Sequence, residues 1–167
     1  MFDIGIDPNQ VGGYGVVVHR QRVLPFRLTL APCRPGDYAL EEVAATLFPR
    51  ARLLALESIP QILPCALQGE RDRKLLERTQ QVIARIMREA RSFGVRVYAY
   101  PGRWPQRVSR ADVAAGRGAW MQVLLGRPWV SKDDLRNYLQ ARYHPTGPMT
   151  EHHWDALGLV ELARRHR

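Results

Sequence analysis

Apolar and polar positions alternate from the start of the chain, with Phe2, Ile4 and Ile6 set against Asp3, Gly5 and Asp7. A period of two predicts an opening β-strand. Pro8-Asn9 ends it, and after a turn at Gly12-Gly13 the stretch GYGVVVHR supplies a second strand. RVLPFRLTL reads as a third, with Pro25 favouring an edge or a bulge because it brings no amide proton to a ladder. The period then lengthens. DYALEEVAATLF predicts a helix with Asp37 as N-cap and Glu41-Glu42 in its first turns. RLLALESI is almost continuously apolar, as expected of a strand covered on both faces.

From about Arg71 to Phe93, apolar residues recur every three to four positions (Leu75, Leu76, Val82, Ile83, Ile86, Met87, Ala90, Phe93), predicting a long amphipathic helix. Its other face is rich in arginine, and Gly94 marks its stop. VRVYAY is a fifth strand. Residues 101–130 predict loops with one short helix around Trp120 to Leu125. SKDDLRNYLQARY predicts a helix opened by a capping box between Ser131 and Asp134. HPTGP is a loop, and TEHHWDALGLVELARRH a closing amphipathic helix. Together these predict one α/β domain over residues 1–167. The first three strands form a meander, and the fourth and fifth join in parallel through helical crossovers.

Composition adds little until charge is considered. The 167 residues are 46% hydrophobic and 25% charged, ordinary for a globular chain with a sizeable core. No run approaches the roughly 18 apolar residues of a membrane span, and the first residues lack the layout of a signal segment. A cytoplasmic protein with no membrane partner is expected. Cys33 and Cys65 form no C-x-x-C pair, so reduced core thiols are expected. The net charge of +9 and pI near 10.4 point to a polyanionic partner, most simply nucleic acid. Ribosome-associated and membrane-surface proteins share that signature. Only Lys74 and Lys132 are lysines. The arginine excess reflects either a GC-rich coding sequence or bidentate phosphate contacts.

The candidate chemistry starts from Glu57, which ends a strand that otherwise reads as buried. A carboxylate buried there without a partner costs several kcal/mol or is driven neutral, so compensation is required. Asp7 ends the first strand. His152 and Asp155 are three residues apart and project from one face where the last helix opens. If the two strands are neighbours and the helix packs on them, three carboxylates and an imidazole converge. Such a set repels itself without cations. Its oxygen donors suit Mg²⁺ or Mn²⁺, and ions paired roughly 3.5–4 Å apart suit in-line phosphodiester displacement. Lys132 opens a capped helix and, unlike arginine, can give up its proton when its pKa is lowered.

GIDPNQVGGYGVV, LLALESIP, GRPWVSKDDLRNYL and HHWDALGLV occur in that order. They resemble the motifs of the RuvC family of Holliday junction resolvases, within the RNase H-like superfamily, and the match spans nearly the whole chain. The resemblance implies an RNase H-like α/β fold with a mixed five-stranded sheet flanked by helices. It assigns Asp7, Glu57, His152 and Asp155 to the catalytic metal site and Lys132 to the scissile phosphate, leaving His152 or its neighbour His153 open. It further implies two Mg²⁺ (or Mn²⁺) ions per site and a homodimer. That dimer would cut a four-way DNA junction by paired symmetric nicks, leaving 5′-phosphate and 3′-hydroxyl ends. The chain departs from the family at Asn9, where glycine is usual, and at Ser58-Ile59-Pro60, where Gln-Val-Phe is common. The segments 61–75 and 101–130 are also longer, which fits a divergent, phage-type member.

DNA contacts are expected from Arg71, Arg73, Lys74 and Arg78 on the long helix. A second group is Arg103, Trp104, Arg107, Arg110 and Arg117, in a stretch that also holds Trp120 and Trp129. Guanidinium groups grip phosphates there, and aromatic rings stack on unpaired bases at a branch point. Trp120 is assigned to the core. Three alternatives remain: a nuclease of this fold acting on RNA or an RNA/DNA hybrid, a branched-DNA-binding protein that does not cut, and an actin-like ATPase. The last needs two such domains and ranks lowest.

Overall fold

The computed structural model describes residues 1–30, 34–58, 69–102 and 107–166. Strands β1 (Phe2–Asn9), β2 (Gly12–His19) and β3 (Arg22–Thr29) form the antiparallel meander that the alternation predicts. The first hairpin is tighter than its glycine pair suggests. β1 runs on through Pro8, and Gly12 and Gly13 are already paired with Asn9 and Pro8. Asp7 therefore sits inside a ladder, opposite Tyr14, and not in a turn.

Two very short strands are added. β4 (Asp37–Ala39) pairs with β3 at residues 27–29, and β7 (His144–Pro145) pairs with Arg22 and Val23. Segments of two and three residues cannot carry an alternating pattern, so the sheet has seven strands where five were expected. Pro25 pairs with Val16 of β2 and on its other side falls in the gap between these two partners of β3, which leaves that side an edge at this position. Asp37 belongs to β4 and pairs with Arg27 at 3.5 Å. The following helix α1 (Leu40–Thr46) has Ala39 at its N-cap, without a side-chain cap.

β5 (Ala51–Ser58) lies parallel to β1, and β6 (Arg96–Pro101) lies parallel to β5, giving the order β4-β3-β2-β1-β5-β6. The crossover is α2 (Glu70–Ser92), which stops before Gly94. Four further helices follow: α3 (Arg110–Ala114), α4 (Trp120–Leu125), α5 (Lys132–Gln140) and α6 (Glu151–Arg165). Ser131 and Asp134 form the predicted capping box of α5. Helix α3, too short for a periodic signal, is set by an equivalent box between Ser109 and Asp112. The two cysteines lie outside the described residues. Among the described residues no helix is long and apolar enough to cross a membrane.

Strand parity divides the core. Ile4, Ile6, Leu54 and Leu56 pack against α1 and α2, while Val16, Val18, Leu53 and Ala55 pack against α4, α5 and α6. Burying each of the branched side chains among these contributes about 1.5–3 kcal/mol. On the second face α6 rides directly on β1. A Cβ at Gly5 would lie 2.0 Å from the Ala156 carbonyl oxygen, so only glycine permits this approach. Farther along the same face, fully buried Asp3 accepts hydrogen bonds from Arg52 Nε and Nη2 (2.9 and 2.7 Å) and Arg164 Nε (2.6 Å). Burial pushes the Asp3 carboxyl up, but the two guanidinium groups outweigh it and hold its pKa below the ordinary value. This clamp ties the end of α6 to β1 and β5.

Candidate active site

Ile6 and Leu56 are the last partners in the parallel β1–β5 ladder, so Asp7 and Glu57, the next residues, stand where the two strands part, toward their carboxyl ends. That edge is where ligands bind in open α/β sheets. The start of α6 lies over it. Thr150 caps the helix by a capping box with His153, whose Nδ1 accepts from the Thr150 N–H at 3.1 Å. The buried His153 ring then meets the Phe26 carbonyl oxygen through Nε2 at 3.0 Å. With Nδ1 accepting, Nε2 carries the proton and donates it. His153 is thus committed to capping. His152 turns the other way, placing Nδ1 2.7 Å from Asp7 Oδ2. Asp155 follows on the same turn, and its Oδ2 is ion-paired with Nζ of Lys132 at the start of α5.

Glu57 has a different partner. Its Oε2 accepts from Trp120 Nε1–H at 2.9 Å, so the buried indole compensates the carboxylate that ends β5. Gly102, just past β6, completes this seat. A Cβ there would lie 2.0 Å from Glu57 Oε1. Asp7, Glu57, Lys132, His152 and Asp155 line one open cleft of about 480 Å³, with Trp120 and Gly102 in its wall.

Burial pushes the carboxyl groups of Asp7, Glu57 and Asp155 above their ordinary pKa values. The His152 hydrogen bond opposes this at Asp7, Trp120 opposes it at Glu57, and Lys132 opposes it at Asp155. The charge of Asp155 raises both Asp7 and Glu57 further. Carboxylates crowded and desolvated in this way favour a bound cation. Asp7, His152 and Asp155 can each offer a ligand atom within 4.8 Å of the others. Glu57 lies outside that trio but in the same cleft. Asp155 Oδ1 is buried and has no hydrogen-bond partner among the described residues, an acceptor left over for a metal. A set dominated by carboxylate oxygen fits Mg²⁺ or Mn²⁺.

The expected DNA contacts lie elsewhere. Arg71, Arg73, Lys74 and Arg78 are exposed on the first half of α2, where no residue before Val82 is buried. Lys74 pairs with Glu70 at 2.7 Å. Arg107 and Arg110 are exposed, and Arg117 is held by Asp112 at 2.8 Å. Arg103 and Trp104 lie outside the described residues. None of the described members of this group lines the cleft. Trp120 is in the core, as its sequence context suggests, but its bond to Glu57 has no sequence signal. Gly102 and Tyr14, which stacks on His152, are likewise invisible to pattern reading.

No protein-family model and no curated protein sequence matches the chain. Solved structures do. RuvC of Thermus thermophilus in complex with a Holliday junction substrate superposes with a TM-score of 0.62 at 18% identity, covering 99% of this chain and 94% of that one. Another structure of Thermus thermophilus RuvC gives a TM-score of 0.57 at 17% identity, covering 99% and 97%. The chain therefore has the RuvC fold, an RNase H-like mixed sheet between helices, with two short strands beyond the expected five.

Proposed function

We propose that residues 1–167 form one nuclease domain, a divalent-metal-dependent endonuclease that resolves four-way DNA junctions as a homodimer by paired symmetric nicks. The observation that carries this reading is the convergence of Asp7, His152 and Asp155, with Glu57 beside them, at the carboxyl edge of the parallel strands. The fold, shared with a structure solved on a Holliday junction, makes branched DNA the favoured substrate.

Asp7, His152 and Asp155 would hold one ion, and Glu57 with Asp7 a second. Bound ions would supply Lewis acidity for attack of water on phosphorus and for departure of the 3′ oxygen, a reaction that would leave 5′-phosphate and 3′-hydroxyl ends. The chain's own groups set the conditions. Trp120 opposes the upward push of burial on the Glu57 carboxyl and aims it into the cleft by donating to Oε2. His153 fixes the first turn of α6 and so the direction of His152. Lys132, held at the cleft by Asp155, binds a non-bridging oxygen of the scissile phosphate or passes a proton to the leaving oxygen. DNA would reach the cleft across the exposed basic half of α2 and past Arg107 and Arg110. Trp129, 73% exposed between α4 and α5 and next to the cleft residue Val130, offers a platform for an unpaired base.

The test is cleavage of a labelled synthetic four-way junction in Mg²⁺, Mn²⁺ and EDTA, with linear duplex and RNA/DNA hybrid of equal length as controls. Symmetric metal-dependent nicks in the junction alone are expected, and Asp7→Asn should abolish them while junction binding persists. Preferred cutting of the hybrid would assign the same site to RNA, and binding without any cut would leave a junction-recognition protein.

A further inference from the structure

One row of side chains crosses the sheet and ends at the candidate metal site. Asp37 of β4 is the register partner of Arg27 in β3, Arg27 of Tyr14 in β2, and Tyr14 of Asp7 in β1. Directly opposed residues share a face, on the antiparallel β1–β2 and β2–β3 ladders and on the parallel β3–β4 ladder alike. The first two links are present as contacts, and the row reaches Asp7 through His152. Asp37 pairs with Arg27 at 3.5 Å, and the Arg27 guanidinium carbon lies 5.5 Å from the centre of the Tyr14 ring. The Tyr14 ring is stacked on His152, with centroids 4.8 Å apart and planes at 17°. The same ring meets the buried His153 edge-on at 5.2 Å, with planes at 90°. His152 closes the row by contacting Asp7.

The stack has a specific consequence. The His152 side chain is 54% exposed, on the first turn of a helix, where an imidazole would otherwise sample several rotamers. Parallel stacking on one flank fixes the ring plane, and with it the line along which Nδ1 faces Asp7. We propose that Tyr14 is a positioning residue for the metal site: braced by Arg27, its ring holds His152 in the orientation that completes the Asp7–His152–Asp155 donor set. This deepens the proposed function and rests on its metal reading. His153 supplies the fixed edge that stops Tyr14 from following His152 when the latter moves. A stacked pair of this kind changes an equilibrium by about two- to tenfold, so Tyr14 tunes metal affinity without itself ligating.

The experiment is Mn²⁺ titration by calorimetry on the full chain, together with NMR of the histidine imidazole protons. In the unaltered protein the His152 imidazole resonances should be displaced by the Tyr14 ring current away from those of exposed His19 and His144, and Mn²⁺ should broaden them. Tyr14→Leu should remove the displacement and weaken Mn²⁺ about three- to tenfold, while Tyr14→Phe, which keeps the ring, restores both. In a His152→Asn background, Tyr14→Leu should cause no further loss of affinity. Unchanged Mn²⁺ affinity in Tyr14→Leu would overturn the assignment while leaving the metal reading intact. So would undisplaced His152 resonances in the unaltered protein, a result that needs no variant to fold. Failure of the unaltered protein to bind Mn²⁺ would instead bring down the metal reading itself, and the assignment with it.

Discussion

Replacing Asp3 with Asn changes the side chain's shape little but removes its charge. Asp3 is fully buried and receives three hydrogen bonds of 2.6–2.9 Å from Arg52 and Arg164. Removing one partner of a buried ion pair costs about 3–5 kcal/mol, because the remaining charge stays desolvated. Arg52 is 45% exposed and regains water, whereas Arg164 is only 20% exposed, so the lower end, about 3 kcal/mol, is expected. In a chain of this size that lowers the melting temperature by about 6–12 °C. The sign of the pH dependence follows from the clamp. The folded pKa of Asp3 lies below its ordinary value of 3.8, so its stabilisation is complete above that value and is lost as pH falls through the folded pKa. Urea unfolding of both proteins from pH 7 down to pH 3 should show a gap that is constant near neutral pH and begins to narrow below about pH 4. A gap under about 1 kcal/mol at pH 7, or one undiminished at pH 3, would refute the two-arginine clamp.

Lys132→Ala should slow junction cleavage by about a hundredfold or more while weakening junction binding less than tenfold, read by single-turnover kinetics and gel shift. Equal losses in both would recast Lys132 as a phosphate anchor. Gly102→Ala sets a methyl 2.0 Å from Glu57 Oε1, so the carboxylate must move. Cleavage should fall by about a hundredfold with the fold retained by circular dichroism, and normal turnover would show that Glu57 tolerates displacement. Trp129→Ala should lower affinity for a four-way junction by about 1–3 kcal/mol and leave linear duplex affinity unchanged, measured by fluorescence anisotropy. Equal loss on both DNAs would exclude stacking on a branch-point base.

Much of the architecture was legible because it is written in local periodicity. Alternation along Phe2–Asp7 gave β1, the apolar run before Glu57 gave β5, and the Ser131–Asp134 spacing gave the start of α5 to the residue. The order of the acidic motifs was legible too, and it named Asp7, Glu57, His152 and Asp155 as one set. What the sequence by itself determined was therefore the elements, their sequence order and the chemistry that the candidate residues can offer.

Tertiary structure decided which of them meet. Register between β1 and β5 places Asp7 beside Glu57, and register is a property of a pairing across nearly fifty residues that no local pattern encodes. The choice of His152 over His153 rests on Thr150 and the Phe26 carbonyl, which claim the second histidine for a capping box. Asp3 reads as the polar face of an opening strand, yet α6 covers that face, and arginines from β5 and α6 make its burial tolerable. The donor to Glu57 is an indole sixty-three residues away, brought there by packing of α4 against α6. The strands β4 and β7 exist only through their partner β3. In each case the energy lies in a contact between distant segments, so it arises only when the sheet and helices close on one another.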